Sequence, residues 1–211
     1  MQYETEEQQV EALKEWWAEN GRAVLLGIGL GVLLILAWMW WKGSQEKKAI
    51  AASDNYSQSI EALEAGQHDT VAELFAEAKS DHSGSLYGAY TGLVAARSAI
   101  EQGNLEDAGS TLQWVVDNAE LDSVATVARV RLARVRAALG DTDAGLKVLP
   151  TSYPSSFTAL IEEARGDLHV AAGNNDEARS AYQAAMDAGQ AVDGNTLRMK
   201  FNELATVGSK S

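Results

Sequence analysis

Hydrophobic residues follow two different patterns along this chain. Residues 23–41 carry no charged side chain over nineteen positions. As a helix rising about 1.5 Å per residue, this run covers about 28 Å, close to the thickness of the hydrocarbon core of a bilayer. From residue 53 onward, apolar residues recur with helical spacing among polar ones. These patterns predict an all-α chain with one transmembrane helix (23–41), a juxtamembrane helical linker (42–52) and a helical repeat domain (53–211).

The segment before the apolar run, residues 1–22, is acidic and predicts one short amphipathic helix. Thr5 and Gln8 have the spacing of a capping box, which marks a helix start. The next turns carry an apolar stripe made of Val10, Leu13 and Trp17. Asn20-Gly21 is expected to end this helix before the membrane. A frayed and solvated tail is the alternative, because so short a helix is only marginally stable alone.

The apolar run has the flanks of a membrane anchor. Indole rings are favoured at membrane interfaces, and the run is bordered by Trp16, Trp17, Trp38, Trp40 and Trp41. A cleaved signal peptide is the competing interpretation, because residues 49–51 look like a cleavage site. The acidic tail, the length of the run and the lysines before residue 49 argue against cleavage.

The span offers one packing site but no orientation signal. Gly27 and Gly31 form a small-xxx-small pair, which predicts close approach of another helix; glycines that simply face lipid are the alternative. Positive charges are nearly balanced across the span: the amino terminus, Lys14 and Arg22 come before it, and Lys42, Lys47 and Lys48 come after it. The charge rule therefore leaves open which side of the membrane holds the repeat domain.

Four glycines recur with similar flanks and predict the turns of helical hairpins. They are spaced 37, 37 and 33 residues apart, at Gly66, Gly103, Gly140 and Gly173. Each is followed by Gln, Asn or Asp and then, within three residues, by an acid. Glycine suits the end of one helix, and Asn or Asp the start of the next, so each motif predicts a tight turn between two helices.

Three further columns of residues agree with these turns. Seven positions before each glycine the residue is small: Ser59, Ala96, Ala133 and Gly166. Five positions after it the residue is again small or modest: Val71, Ala108, Gly145 and Ala178. Nine positions after it stands a large apolar residue, expected to fill the gap to the next hairpin: Phe75, Leu112, Leu149 and Tyr182.

This pattern resembles the tetratricopeptide repeat, whose period of about 34 residues it brackets, from Ser53 to Ala188. The resemblance implies a right-handed α-solenoid of about four helix pairs. Pro150 and Pro154 break the period, so residues 151–156 are expected to form a loop. The helix at residues 195–207 is expected to cap the last apolar surface with Leu197, Phe201 and Leu204.

In such a stack the first helices of the pairs line a concave groove that binds peptides. Positions thirteen, ten, six and three before each hinge glycine project into it. The residues singled out there for partner binding are Tyr56, Tyr90, Leu93, Arg97, Arg134, Glu163 and Asp167. The projection also selects Val130 and Ile100. We expect adaptable contact with apolar peptide, with Arg97 and Arg134 available to carboxylates; core or solvated positions are the alternative.

Composition limits the chemistry. Cysteine is absent and the net charge is −13, which disfavours nucleic acid as a partner. The three histidines lie in different repeats without metal-ligand spacing, and His68 is expected in an exposed turn. Four arginines crowd residues 129–136 and are interpreted as a solvated face. No catalytic motif or cofactor site is recognised, so we expect a binding protein, without cofactors, and no enzyme.

The stretch Tyr3–Trp17, YETEEQQVEALKEWW, together with Asn20-Gly21, the span and the repeats, resembles the YfgM-type ancillary subunits of the bacterial Sec translocon. This resemblance implies a single-pass protein of the Gram-negative inner membrane, with its tail in the cytoplasm and its repeats in the periplasm. It further implies association with the SecYEG channel and the membrane-anchored chaperone PpiD, and a role in passing translocating polypeptides to periplasmic chaperones.

Two alternatives from other classes stay open on the sequence. One is a structural scaffold that organises another envelope complex without contacting client chains. The other is a docking adaptor whose repeats face the cytoplasm. The spacing of the repeats supports an anchored binding array in all three cases.

Overall fold

The computed structural model describes residues 3–189 and 194–207, which form α-helices and no strand. The helices are α1 (Tyr3–Glu64), α2 (His68–Asp81), α3 (Leu86–Glu101), α4 (Leu105–Asn118), α5 (Asp122–Ala138), α6 (Thr142–Val148), α7 (Thr158–Ala171), α8 (Asn175–Asp187) and α9 (Gly194–Val207). The predicted all-α class is confirmed. The chain divides into two compact units, Met1–Ile50 and Ala51–Ser211.

The first unit consists of helix and includes the apolar run. Its apolar side chains are exposed, and α1 is the one helix in the described ranges that is long and apolar enough to cross a bilayer. The Lys42 ammonium lies 5.7 Å from the centre of the Trp38 ring, a cation–π contact at the end of the span. No atom lies near the places where a Cβ would stand on Gly27 or Gly31, so their role as a packing site stays a prediction.

The predicted helix stop at Asn20-Gly21 is wrong. Helix α1 continues through both residues. The Asn20 side chain donates a hydrogen bond to the Trp16 carbonyl, 3.1 Å away and one turn back. Gly21 is covered by the Trp17 ring, which lies 3.3 Å from where a Cβ would stand. The preference of Asn20-Gly21 for a turn is therefore too weak to end α1, because the helical hydrogen bonds continue on both sides of the pair.

The four predicted hinges are confirmed by their backbone geometry. Their φ angles are positive, between 69° and 91°, at Gly66, Gly103, Gly140 and Gly173. At each hinge the glycine N–H donates to the carbonyl three residues back, and the next N–H to the carbonyl five residues back, at 2.8 to 3.0 Å. This pattern is the Schellman motif, which satisfies the last carbonyls of a helix. Each hinge thus ends the first helix of a pair.

Side chains after two hinges start the second helix of the pair. Asn104 accepts a hydrogen bond from the Asp107 amide at 3.3 Å, and Asp141 accepts one from the Ala144 amide at 2.9 Å. These are N-caps, which satisfy amides that have no partner in the first turn. The predicted sequence of C-cap followed by N-cap is therefore present in the second and third pairs.

The three packing columns lie where the repeat pattern predicts. Both columns of small residues are buried. In the column of large residues Leu112, Leu149 and Tyr182 are buried, while Phe75 is half-buried. The Phe75 ring meets the Trp114 ring of the next pair edge-to-face, with centroids 5.2 Å apart. The large residues therefore fill the space between successive pairs.

Two glycines show how closely the helices of a pair approach. A Cβ on Gly145 would lie 2.7 Å from the Ala133 carbonyl oxygen. A Cβ on Gly166 would lie 2.4 Å from the Tyr182 ring. Each contact joins the column before a hinge to a column after it. Small residues are therefore required because the facing helix leaves no room for a side chain.

Successive helices contact one another from α2 to α9, and α5 also contacts both α3 and α7. The first helices of the second, third and fourth pairs are therefore neighbours, as stacked hairpins require. A buried Asn55 joins the first pair to the second: its amide donates to the Leu74 carbonyl at 3.0 Å and its oxygen accepts from Thr91 at 3.1 Å. The handedness of the stack stays a prediction.

The end of the array also follows the sequence pattern. Helix α6 ends at Val148, just before Pro150, and residues 151–154 are not helical. A 3₁₀ turn at Ser155–Phe157 lies partly within the predicted loop. In α9, Leu197 and Leu204 are buried and Phe201 packs against the same cluster. The predicted capping helix is confirmed.

Replacing Gly166 by Ala is expected to destabilise the repeat domain by about 1–3 kcal/mol, because the new methyl group would overpack against Tyr182. The measurement is urea unfolding of the detergent-solubilised chain, followed by circular dichroism. Gly109→Ala is the matched control, since its Cβ would lie 3.7 Å from the Val135 side chain, an ordinary contact. It should be neutral or stabilising by up to about 1 kcal/mol through helix propensity. Equal effects of the two changes would contradict the close packing at Gly166.

Candidate functional site

The residues predicted to bind partners fall into two separate places. Four of them line one open cavity of about 670 Å³, bordered by α1, α3 and α5. They are Tyr56, Tyr90, Leu93 and Arg97. The other three, Arg134, Glu163 and Asp167, meet in an ionic cluster with α9. We call the cavity the tyrosine pocket and the second place the α9 cluster.

Tyrosine rings form one wall of the tyrosine pocket. The Tyr56 ring lies 5.5 Å from the Tyr90 ring and 5.9 Å from the Tyr87 ring, measured between centroids. Tyr87 and Tyr90 are 6.4 Å apart and edge-to-face. Aromatic rings at these separations attract one another, so each limits the rotation of the others. Tyr56 and Tyr90 line the pocket, with Tyr87 packed against both, so the wall is apolar on its ring faces and polar at its hydroxyls.

The rest of the lining combines apolar and charged residues. The apolar side chains besides Leu93 are Ile60, Leu63 and Val94, and the charged ones are Glu64, Arg97, Glu101 and Arg131. Arg97 donates to Glu101 at 2.9 Å, an ion pair within one helix face. Arg97, which we expected to be available to a ligand carboxylate, is thus already paired, although its side chain is 70% exposed. So exposed a pair contributes little to stability, and a ligand can compete for it.

Arg131 is one of the pocket residues that the projection from the hinge glycines did not select, together with Glu64, Val94 and Glu101. It is exposed, in keeping with a solvated face, and its side chain also lines the open tyrosine pocket. Partial burial and then the positive charges of Arg97 and Arg134 lower its pKa below the usual value for arginine. Within the described residues it makes no ion pair. Its place in the groove depends on how α5 is rotated against α3, which spacing alone did not show.

The other arginines of α5 have structural partners. Arg134 donates to Asp167 at 3.3 Å, and Arg136 donates to Gln113 of α4 at 3.3 Å. Arg131 and Arg134 are exposed, as the interpretation of a solvated face requires, whereas Arg129 and Arg136 are half-buried. The projection also misplaced Val130, which is buried in the core between the third and fourth pairs. Ile100 is 42% exposed, as its projected position requires.

The α9 cluster is built around Lys200. Its ammonium lies 2.8 Å from both Glu163 and Asp167 of α7. Asp167 also accepts a hydrogen bond from the Tyr182 hydroxyl at 2.9 Å and pairs with Arg134. Charge-assisted contacts of this kind are stronger than neutral ones. Two residues predicted to face a partner, Glu163 and Asp167, are therefore engaged by the chain's own capping helix, and the third, Arg134, is paired with Asp167.

The titration of this cluster follows from its partners. Burial by itself lowers the pKa of the Lys200 ammonium, but the hydrogen bonds and charges of Asp167 and Glu163 outweigh burial and raise the pKa overall. Burial, followed by the charge and hydrogen bond of Asp167, raises the pKa of the Tyr182 hydroxyl. Both groups therefore keep their protons at neutral pH, and Tyr182 stays a hydrogen-bond donor to Asp167.

A second cavity of about 300 Å³ lies between α2, α3 and α4. His68 borders it, half-buried, with its Nδ1 2.8 Å from the Ser98 hydroxyl. The expectation that His68 is exposed in a turn is wrong, because it is the first residue of α2 and faces α3. In the described part of the chain no group of three metal-ligating side chains comes together.

Comparison with known proteins agrees with the helix pairs and hinges. A family model described as a tetratricopeptide repeat-like domain matches residues 14–206. No solved structure matches the chain significantly. The repeat geometry and this match define the class: a tetratricopeptide repeat-like protein with an apolar helix near its N-terminus.

Three similar proteins are named Ancillary SecYEG translocon subunit. The one from Escherichia coli (strain K12) is 33% identical over 207 residues, 96% of this chain and 98% of that protein. Those from Haemophilus influenzae and Aggregatibacter actinomycetemcomitans are 27% and 25% identical, and each covers 94% of this chain and 97% of its own length. The chain belongs to the YfgM-type family, as its N-terminal stretch and repeats predicted.

Replacing Lys200 by Met should destabilise the repeat domain by about 1–3 kcal/mol, because Glu163 and Asp167 would lose a charged partner in a partly buried site. Urea unfolding measures the loss, and hydrogen exchange should rise in α9. Lys147→Met is the control: Lys147 is exposed on α6 and the change should stay within about 0.5 kcal/mol. If hydrogen exchange in α9 were the same in Lys200→Met as in the native chain, Lys200 would not stabilise the packing of this helix on α7.

The free energy of unfolding should fall as pH rises above about 10. Tyr182 and Lys200 have raised pKa values when folded, against ordinary values of 10.0 and 10.5. Above these values the unfolded chain binds fewer protons than the folded one, so stability is full below them and is lost as pH rises. Urea unfolding between pH 8 and 11.5 checks this. Tyr182→Phe should show a shallower alkaline decline than the native chain; an identical slope would remove Tyr182 as a cause.

Proposed function

We propose that this chain is an ancillary subunit of the bacterial Sec translocon that holds segments of newly translocated proteins. The tyrosine pocket carries the proposal, because it brings aromatic, apolar and charged side chains together in one open groove. The relatives add support, since proteins that match nearly the whole chain bear the name Ancillary SecYEG translocon subunit.

The chemistry of the pocket suits segments of unfolded chain. Apolar side chains of such a segment would pack on Tyr56, Tyr90 and Leu93, and its polar groups would meet Arg97 and Arg131. Contacts of this mixed kind give weak, adaptable binding that does not depend on a single sequence. A protein that must release the chains it binds needs weak binding of this kind.

Anchoring by residues 23–41 makes weak binding sufficient. A site tethered beside the translocon meets an emerging chain at a high effective concentration, so modest affinity still gives occupancy. We propose that the repeats lie in the periplasm and pass clients to chaperones such as the membrane-anchored PpiD. A purely binding role is in keeping with a family of ancillary subunits built on a repeat-like domain.

A photo-crosslinking residue in place of Tyr90 should form adducts with a polypeptide arrested in the Sec channel, because Tyr90 lines the tyrosine pocket. The same residue in place of Asp117 is the control, since Asp117 is exposed on α4 and outside the pocket lining. Immunoprecipitation of the arrested chain and of PpiD reads the result. Adducts only with other envelope proteins would favour the scaffold alternative.

The orientation can be tested with single cysteines, because the native chain has none. Gly43→Cys should react with a membrane-impermeant maleimide in spheroplasts, and its side chain meets no neighbour within 4 Å. Gln8→Cys, exposed on the other side of the span, should react only after lysis. The reverse labelling would place the repeats in the cytoplasm and support the adaptor alternative.

A further inference from the structure

We propose that the tyrosine pocket selects segments in which an acidic side chain stands close to an apolar one. The carboxylate of an Asp or Glu would bind the Arg131 guanidinium, and the neighbouring apolar side chain would pack on Tyr56, Tyr90 and Leu93. This inference rests on the proposed function, because it names the kind of segment that the groove receives. It concerns Arg131, a residue whose role the repeat pattern did not indicate.

Charge is the first argument. The chain as a whole carries a net charge of −13, and the pocket lining combines Arg97 and Arg131 with Glu64 and Glu101. Arg97 is neutralised by Glu101 at 2.9 Å and Arg134 by Asp167 at 3.3 Å. Glu64 also lines the pocket, but Arg131 makes no ion pair with it or with any other described residue. Arg131 is thus left with unused guanidinium donors, which suit a bidentate carboxylate.

The surroundings of Arg131 favour an anion. Among its charged neighbours, Arg97 and Arg134 have the largest effects on its pKa, and both act to lower it. A carboxylate bound there would relieve this repulsion by pairing with the Arg131 guanidinium. Phosphate would gain as well, but the apolar floor and the aromatic wall suit a side chain attached to a peptide.

The walls of the pocket point to a side-chain carboxylate and away from the end of a chain. Tyr56, Tyr90 and Arg131 lie well inside α1, α3 and α5, where the backbone amides are used by the helices themselves. Proteins that capture a terminal carboxylate commonly use free backbone N–H groups. Here only side chains can donate, so an internal Asp or Glu is the fitting partner.

The aromatic wall supplies the second half of the selection. The mutual contacts of Tyr56, Tyr87 and Tyr90 hold the rings in place before a ligand arrives. A preformed aromatic surface costs little ordering on binding. The cavity has a volume of about 670 Å³, which lies within the range of about 300–1,000 Å³ that is typical of ligand-binding pockets. It can therefore take an apolar and an acidic side chain together.

The test uses the full chain in nanodiscs and pairs of fluorescent peptides read by anisotropy. The peptides are acetylated and amidated, contain two leucines, and differ at one position between those leucines, Glu or Gln. The Glu peptide should bind about tenfold more tightly, as one charge-assisted pair implies. Arg131→Gln should abolish this preference by weakening the binding of the Glu peptide to the level of the Gln peptide, and circular dichroism checks that the variant is folded.

Arg129→Gln is the matched control, since it removes the same charge from the same helix but lies outside the pocket lining. It should keep the preference for Glu. Equal binding of the two peptides to the native chain would overturn the inference, and so would a preference that survives Arg131→Gln. A third peptide, the Gln peptide with a free carboxyl terminus, tests for capture of chain ends, and tighter binding of this peptide than of the amidated Glu peptide would overturn the inference too.

Failure here and failure of the proposed function are distinguishable. Adducts from position 90 to translocating chains would persist if the groove bound clients without regard to acidic residues. Conversely, a Glu preference that depends on Arg131, without such adducts, would leave the selectivity standing and remove the link to translocation.

Discussion

Every helix pair in this protein depends on one backbone constraint. The chain must turn back at residues with φ between 69° and 91°, in the left-handed region. Side chains with a Cβ pay about 1–2 kcal/mol to enter that region, and glycine enters it freely. No atom lies within 4 Å of where a Cβ would stand on the hinge glycines, so conformation, and not space, selects glycine there.

Close packing then converts these turns into an array. Buried small residues such as Ala133 and Gly166 let the two helices of a pair nearly touch, and large residues such as Leu112 and Tyr182 fill the space between pairs. Each pair leaves an apolar surface for the next, so the array needs a terminator. Helix α9 provides it with Leu197 and Leu204 inside and Lys200 bound to the charged edge of α7.

The predicted groove has two parts with different roles. Near the first and second pairs its surface stays open and forms the tyrosine pocket. Near the fourth pair, Glu163 and Asp167 are occupied by Lys200, so their charges serve the attachment of α9. Arg134 joins the same cluster and Arg131 does not, although only three positions separate them on α5. Arg131 therefore remains available to a ligand at the tyrosine pocket.

The sequence by itself determined the helix pairs, because a positive φ and a buried small residue each restrict the choice of amino acid locally. It also predicted the capping helix and four residues of the tyrosine pocket, and its resemblance to the YfgM-type family is confirmed. Only the tertiary structure decided the rest: that α1 continues through Asn20-Gly21, that Lys200 engages Glu163 and Asp167, and that Arg131 belongs to the pocket. These outcomes depend on which helices face one another across 30 residues or more, and on hydrogen bonds that continue past a weak local stop signal, neither of which residue spacing encodes.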